Sequence, residues 1–372
     1  MPRPSITDVV VVVGTRPEAL KLAGVVRELA DRTRLVHTGQ HFDDTMWAAV
    51  AGDAGLPMPT VSLQVGGLGR GEQIGSATVA ISRHLEDHPA AALVVQGDTN
   101  STLAGALAGQ ASDTPVVHVE SGMRSGDLTM PEEMNRLLTD RLSDVCCAPT
   151  QANADQLVAE GIDRSRIAVT GNTLTETIVR LLPSPTDRAA ILATYQVQPG
   201  RFVLASLHRA SNADNEASLR ALLTALDRLA AAVPVLLPVH PRTRQRAADY
   251  GITPHLSHLR FLEPLPPKHF LTLEHDAALI ASDSGGVQEE AALFRVPQVV
   301  LRDSTERPEL LGTWARLLGD SDPTTLLAEA WAGVDAWRAQ LASAPPPYPL
   351  TSAATKVVAA LDAMLARRRI PV

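Results

Sequence analysis

Three carboxylates and a histidine occupy positions where side chains can move protons. Asp98 and Glu120 each follow a run of buried-type residues, Glu132 opens a helical pattern behind Pro131, and His208 follows another apolar run. The carboxyl ends of strands in open α/β sheets are where such folds bind ligands. Carboxylates sharing one crevice repel each other, which raises their pKa values toward those useful near neutral pH. His208, with Arg209 beside it, suits protonating or steadying a leaving phosphate. The stretch Ala281–Glu309, ASDSGGVQEEAALFRVPQVVLRDSTERPE, supplies an anion-binding counterpart. Its Ser284, Gly285 and Gly286 form a strand-to-helix turn, where backbone N–H groups approach a ligand and the helix start favours negative charge. Glu289 and Glu290 in the first helical turn could grip ribose hydroxyls. Arg302 and Arg307 match the oxygens of a diphosphate. Arg16 and Lys21, just beyond another strand, could point at phosphate too. Each group has a plain structural alternative: Asp98 as a helix N-cap, Glu132 and Glu133 as complements to a helix dipole, His240 as part of a surface loop. Their convergence on strand ends favours the chemical reading.

These residues need a repeated strand-helix scaffold, and the sequence provides two. Val9–Val13 is a continuous β-branched run, as in a strand buried on both faces of a parallel sheet. A helix follows through Ala30, with Gly14 at the turn and Pro17 near its start. Leu35–Thr38, Ala92–Gln96, Pro115–Val119, Asp144–Ala148 and Ile167–Thr170 read as further strands. Helices are expected near Asp44–Ala51, over Gln73–Leu85 after the glycine-rich loop Gly66–Gly71, and over Thr150–Glu160. Leu181–Gly200, with three prolines, reads as an inter-domain passage. The pattern restarts with strands at Phe202–Ser206, Val235–Val239, Leu259–Leu262, Ala277–Ala281 and Gln298–Leu301, and a helix at Leu219–Ala232. The expected fold is α/β, with two Rossmann-like doubly wound domains facing across a central cleft, at 1–175 and 198–350. An amphipathic helix at 352–369 is expected to pack back on the first.

Composition removes several function classes. A chain of 372 residues with 45% hydrophobic and 20% charged content is long enough for two soluble domains. Its net charge of −8 speaks against nucleic-acid binding by overall electrostatics. Cys146 and Cys147 are adjacent in an apolar run, which reads as buried strand and not as a disulfide framework or metal site. The Val9–Val13 run is too short to span a membrane and lacks a signal-peptide pattern, so a cytoplasmic location is expected. No Walker A, complete G-x-G-x-x-G, H-E-x-x-H or G-x-S-x-G pattern occurs, so neither a metal nor a cofactor is expected.

Taken in order, GTRPEALK (Gly14–Lys21), GDTNST (Gly97–Thr102), HVESGMRSGD (His118–Asp127), MPEEMNR (Met130–Arg136) and TGNT (Thr170–Thr173) form one series of motifs. LHR (Leu207–Arg209), PVHPRT (Pro238–Thr243), DSGGVQEE (Asp283–Glu290) and RDSTERPE (Arg302–Glu309) complete it. Over roughly residues 9–320 the chain resembles the non-hydrolysing UDP-N-acetylglucosamine 2-epimerases, which have the GT-B fold. The resemblance implies a UDP-sugar substrate, a homodimer, and interconversion of UDP-N-acetylglucosamine and UDP-N-acetylmannosamine through 2-acetamidoglucal. It implies Asp98, Glu120 and Glu132 as the acid/base set, with His208 assisting the diphosphate. Arg16, Lys21, Ser284, Gly285, Gly286, Glu290 and Arg307 would hold UDP, and Phe270 would contact uracil. Gln40, Arg70, Arg209 and His240 resemble parts of a second, allosteric site, although Asp43 and Gly71 stand where that site has glutamines. The family's usual H-R-R-E is here His208-Arg209-Ala210-Ser211, and Tyr348-Pro349-Leu350-Thr351 replaces the usual Gly-Asp-Gly. Other readings are a 2-epimerase of a modified UDP-sugar such as UDP-2,3-diacetamido-glucuronic acid, a hydrolysing 2-epimerase, a GT-B glycosyltransferase, or a silent nucleotide-sugar-binding protein.

Overall fold

The five consecutive valines of Val9–Val13 form β1, every one of them buried. In the computed structural model, which describes residues 7–40, 52, 55–239, 241–348 and 352–368, the chain divides into two compact units. The first comprises Met1–Arg180 and Tyr348–Val372, and the second comprises Leu181–Pro347.

The first unit is built on β1, β2 (Thr33–His37), β3 (Val61–Ser62), β4 (Ala92–Gln96), β5 (Val116–Val119), β6 (Val145–Ala148) and β7 (Ile167–Val169). They form one sheet in the order β3-β2-β1-β4-β5-β6-β7, with every pair parallel. The winding direction therefore reverses between β1 and β4, the point where such sheets leave a crevice at their carboxyl ends. Helices Arg16–Leu29, Arg70–Asp87, Asn100–Ala111, Pro131–Leu142 and Gln151–Ala159 connect the strands. Cys146 and Cys147 are fully buried in β6, and burial pushes the Cys147 thiol up to about 12. The Ala353–Arg368 helix belongs to this unit, where Ala353 N donates to Glu176 Oε1 at 2.5 Å and Arg32 pairs with Asp362 at 2.8 Å.

The second unit carries β8 (Val203–Ser206), β9 (Val235–Pro238), β10 (Arg260–Leu262), β11 (Leu279–Ser282), β12 (Gln298–Val300) and β13 (Ala315–Leu317). Their order is β10-β9-β8-β11-β12-β13, again all parallel, with the reversal between β8 and β11. Phe202, Leu204, Leu236, Leu273 and Ile280 form its buried cluster.

Both units are doubly wound parallel-sheet α/β domains, the plan expected of a GT-B chain. Three local readings need correction. Leu181–Gly200 is not a bare passage, because Pro185–Thr194 is a helix whose N-cap Ser184 accepts a hydrogen bond from Asp187 N, and Leu192 packs into the second unit's core. The strands β3 and β13 extend the sheets beyond the expected set; at two and three residues they carry no readable alternation. The Gly66–Gly71 loop is shorter than expected, since the helix already begins at Arg70. The helix expected near Asp44–Ala51 lies outside the described residues. Among the described residues no helix is long and apolar enough to cross a membrane.

Candidate active site

At the reversal point of the first sheet, the turn after β1 sits directly against the loop after β4. A Cβ at Gly14 would lie 1.9 Å from Ser101 Oγ and 2.4 Å from Thr38 Oγ1, so the approach requires glycine. Glu18, almost fully buried, fastens the two segments. Its carboxylate accepts from Gly14 N at 3.0 Å, Thr99 Oγ1 at 2.8 Å and Thr102 Oγ1 at 3.1 Å. Burial raises its carboxyl above the usual range, against hydrogen bonds from Thr99 and its neighbours that pull it down.

Asp98 is free of the capping task that its position allowed, because Thr99 is the N-cap and accepts from Thr102 N. Instead, Asp98 Oδ2 pairs with the buried Arg136 at 2.5 Å, and its carbonyl accepts from Asn135 Nδ2 at 2.8 Å. Glu120, just past β5, adopts a left-handed backbone with φ of 71°. Its two oxygens accept from Lys21 Nζ at 2.7 and 2.5 Å, and Gln96 Nε2 donates to it at 2.6 Å. Each of these two carboxylates is thus paired with a buried cation, Glu120 with Lys21 and Asp98 with Arg136. The paired glutamates of MPEEMNR separate in role. Glu133 is buried and accepts from Ser125 N, Gly126 N and Arg136, so it braces a loop. Glu132 stands exposed in the first turn of Pro131–Leu142.

Lys21 is drawn to Glu120, and Arg16 lies partly exposed at the first position of its helix. Gln40 Oε1 accepts from Ser101 N at 3.0 Å and Oγ at 2.8 Å, and Arg70 donates to Asn135 Oδ1 at 2.9 Å. Gln40 thus borders the segment that carries Asp98, and Arg70 borders the helix that carries Glu132. His240 lies outside the described residues.

At the reversal point of the second sheet, His208 follows β8 and Asp283 follows β11. The His208 side chain is about half exposed (52%), while Asp283 is fully buried. Nδ1 of His208 lies 2.9 Å from Asp283 Oδ1, which leaves Nε2 directed outward. Asp283 also accepts from His208 N, Arg209 N at 3.1 Å and Asn212 Nδ2 at 3.0 Å, while Arg209 Nε donates to its carbonyl. Burial pushes the Asp283 carboxyl up, but His208, Asn212 and the Arg209 amide outweigh it and hold the group below the usual carboxylate range.

The Gly285–Leu293 helix starts behind Ser284 without a side-chain cap, the kind of helix start that favours an anion. A Cβ at Gly285 would lie 2.5 Å from Glu306 Oε1 and 2.9 Å from an Arg307 nitrogen; nothing lies within 4 Å of one at Gly286. Arg307 is buried between Glu289 at 3.2 Å and Glu306 at 2.6 Å, and Arg302 pairs with Glu306 at 2.8 Å. Glu289 is therefore turned to Arg307, while Glu290 stays partly exposed. Phe270 is half-buried on the Pro267–Asp276 helix against the core. Sequence reasoning did not assign Gln96, Arg136 and Asp283 as anchors; Arg136 carried a signal in its spacing of three from Glu133, and Asp283 in its place directly after an apolar run. No cluster of three or more metal-ligating side chains occurs among the described residues.

The profile of the family described as UDP-N-acetylglucosamine 2-epimerase matches residues 26–362. The UDP-N-acetylglucosamine 2-epimerase of Methanococcus maripaludis is 36% identical over 325 residues, covering 85% of this chain and 89% of that protein. The UDP-2,3-diacetamido-2,3-dideoxy-D-glucuronate 2-epimerase of Pseudomonas aeruginosa is 35% identical, covering 83% and 87%. The crystal structure of the Methanocaldococcus jannaschii UDP-GlcNAc 2-epimerase in complex with UDP-GlcNAc and UDP superposes with a TM-score of 0.82 at 33% identity, covering 96% of this chain and 99% of that one. By profile, sequence identity and fold, this chain belongs to the UDP-N-acetylglucosamine 2-epimerase family.

Proposed function

We propose that this chain interconverts UDP-N-acetylglucosamine and UDP-N-acetylmannosamine without hydrolysis. A carboxylate of the set Asp98, Glu120 and Glu132 removes the proton from C2 while the C1–O bond to UDP breaks, leaving a C1=C2 double bond in 2-acetamidoglucal. UDP stays bound; a proton then reaches C2 from the opposite face, and the diphosphate oxygen re-forms the bond to C1. Atoms and electrons balance without an oxidant, a metal or a water. His208, through its outward Nε2, steadies the departing diphosphate, and Arg16, Lys21, Ser284, Gly285, Gly286, Glu290, Arg307 and Phe270 hold UDP. The observation that carries this reading is the pairing of Glu120 with Lys21 and Asp98 with Arg136 at one sheet's reversal point. Carboxylates fixed beside cations at strand ends suit a C2 proton transfer with a diphosphate leaving group. The protein works in the cytoplasm as a homodimer, and Gln40, Arg70, Arg209 and His240 contribute to a second UDP-sugar site.

The test is proton NMR of the protein with UDP-N-acetylglucosamine in D2O. Deuterium at C2 in a manno product still linked to UDP is the expected result. Free N-acetylmannosamine plus UDP would replace the non-hydrolysing reading by a hydrolysing one. No exchange, with UDP still bound, would redirect the search to a modified UDP-sugar, the substrate class named for the Pseudomonas aeruginosa relative.

A further inference from the structure

His118 lies in β5, two residues before Glu120, and is fully buried. Its Nδ1 is 2.7 Å from Asp140 Oδ1 and its Nε2 is 2.8 Å from the Gly97 carbonyl. A backbone carbonyl can only accept. Asp140 is likewise an acceptor here, because its other oxygen takes Arg124 at 2.6 Å and Gly122 N at 3.2 Å. The ring thus has a partner at each nitrogen, the Gly97 carbonyl on one side and Asp140 on the other. Burial works to raise the Asp140 carboxyl, but His118 and Arg124 outweigh it and hold the group below its usual range.

The two bonds lead to the other carboxylates. Gly97, with φ of 75°, turns the chain into Asp98. Asp140 sits on the Pro131–Leu142 helix, whose first turn carries Glu132 and whose Asn135 and Arg136 hold the carbonyl and carboxylate of Asp98. Asp98, Glu120 and Glu132 thus come from three chain segments. One imidazole belongs to the second of these, bonds directly beside the first, and is tied to the third through Asp140.

We propose that His118 is a positioning residue: by bridging the Gly97 carbonyl and Asp140 from the Glu120 strand, it fixes the three carboxylates relative to one another. It does not touch substrate. The role rests on the reading of those carboxylates as the proton-transfer groups. Two transfers on opposite faces of C2 depend on two groups being placed independently, and a misplacement of about 1 Å can cost on the order of 10²-fold in rate. A histidine that only filled the core would lower stability without unbalancing the two transfers.

The test compares His118→Gln with Arg124→Gln in D2O. His118→Gln keeps one donor and loses the second bond, whereas Arg124→Gln strips a different partner from Asp140 and leaves Gly97 held. For His118→Gln we expect kcat to fall by ~10²-fold with KM nearly unchanged. We also expect released 2-acetamidoglucal and UDP, or C2-deuterated starting sugar, to rise relative to epimer. Arg124→Gln should lose melting temperature and keep the wild-type ratio. Wild-type kcat and product ratio in folded His118→Gln would overturn the role, and so would an equal shift of the ratio in Arg124→Gln. Should His118→Gln not fold, Asp140→Asn, which retains the volume and weakens the same bond, is read by the same two criteria. Wild-type protein that neither exchanges C2–H nor epimerises would sink the underlying function and this role with it; an active wild type beside an unchanged variant sinks the role alone.

Discussion

At the reversal point of the first sheet the groups proposed to react are carboxylates, and their partners are buried cations; at that of the second, the proposed group is an imidazole and its partner a buried carboxylate. The topology is the same, so the charge pattern at the strand ends is what separates the two roles. In the first unit Glu120 is held in a left-handed backbone by Lys21 and Gln96, a conformation that costs a non-glycine residue about 1 kcal/mol or more. In the second unit the non-glycine residues with positive φ among those described are Gln196 and Arg295, neither of which follows β8 or β11. In the first unit Ala30, Gln64 and Asp113 share that conformation, and Glu120 is the one proposed proton-transfer carboxylate among those described that adopts it. The difference teaches that one fold can be specialised by a few residues at its switch point, leaving the sheet itself unchanged.

The largest effect should come from breaking the first unit's chemistry while keeping its anchors. Glu120→Gln and Asp98→Asn each preserve volume and some hydrogen bonding, and turnover should fall by about 10²–10⁴-fold, the usual contribution of a positioned acid or base. UDP affinity, measured by calorimetry, should stay within a few-fold. If either variant keeps full turnover, that carboxylate is not part of the proton-transfer set. The matching cut in the second unit is Asp283→Ala, which strands His208, two backbone amides and Asn212 around an empty buried site. Stability should drop by about 3 kcal/mol, read by urea titration. A loss below about 0.5 kcal/mol would mean that Asp283 is not the anchor of the β8 loop.

Much of this was readable before the structure, for reasons that vary by residue. Val9–Val13 could hardly be anything but a buried strand, and Asp98, Glu120 and His208 could be placed at strand ends because the apolar runs before them stop abruptly. Their anchors could not be read, because Arg136 reaching Asp98 and Asp283 reaching His208 are contacts across 38 and 75 residues. His118 looked like one more core residue inside a valine run, and its two acceptors appear only once β4 and the Pro131–Leu142 helix are packed. The helix at Pro185–Thr194 was legible in principle. Ser184-Pro185 followed by Asp187 is a helix-start signature, but three prolines in twenty residues argued louder for a linker.

Two glycines sharpen the comparison at smaller cost. Gly14→Ala drives a methyl into Ser101 and Thr38 side chains that are themselves bonded at 2.6 Å, so the first unit should lose about 1–3 kcal/mol as an overpacked site does. Gly285→Ala meets the ends of the Glu306 and Arg307 side chains, which can give way. The second unit should then keep its stability and lose UDP affinity by about tenfold, near 1.4 kcal/mol. Equal melting losses in both variants would erase the distinction between a structural and a ligand-facing glycine.

The smallest effect, and the most direct comparison of the two units, is the sign of their pH dependence. Glu18 in the first unit has a carboxyl raised above its ordinary 4.5 by burial, against the hydrogen bonds it accepts. The folded chain therefore binds that proton more tightly than the unfolded one, and its contribution to stability grows as pH falls toward about 4.5. Asp283 in the second unit lies below its ordinary 3.8, since His208, Asn212 and the Arg209 amide outweigh the burial that would raise it. Its contribution is present above about pH 4 and is lost as pH falls further, through the folded value. Melting temperatures of wild type, Glu18→Gln and Asp283→Asn across pH 7 to 3 separate the two. The advantage of wild type over Glu18→Gln should widen on going from neutral pH to about 4.5, while its advantage over Asp283→Asn should stay level there and shrink only below about 4. Should both differences move in the same direction, one of the two carboxylates does not have the surroundings that fix its sign, and the contrast between a desolvated staple in one unit and a bonded anchor in the other fails.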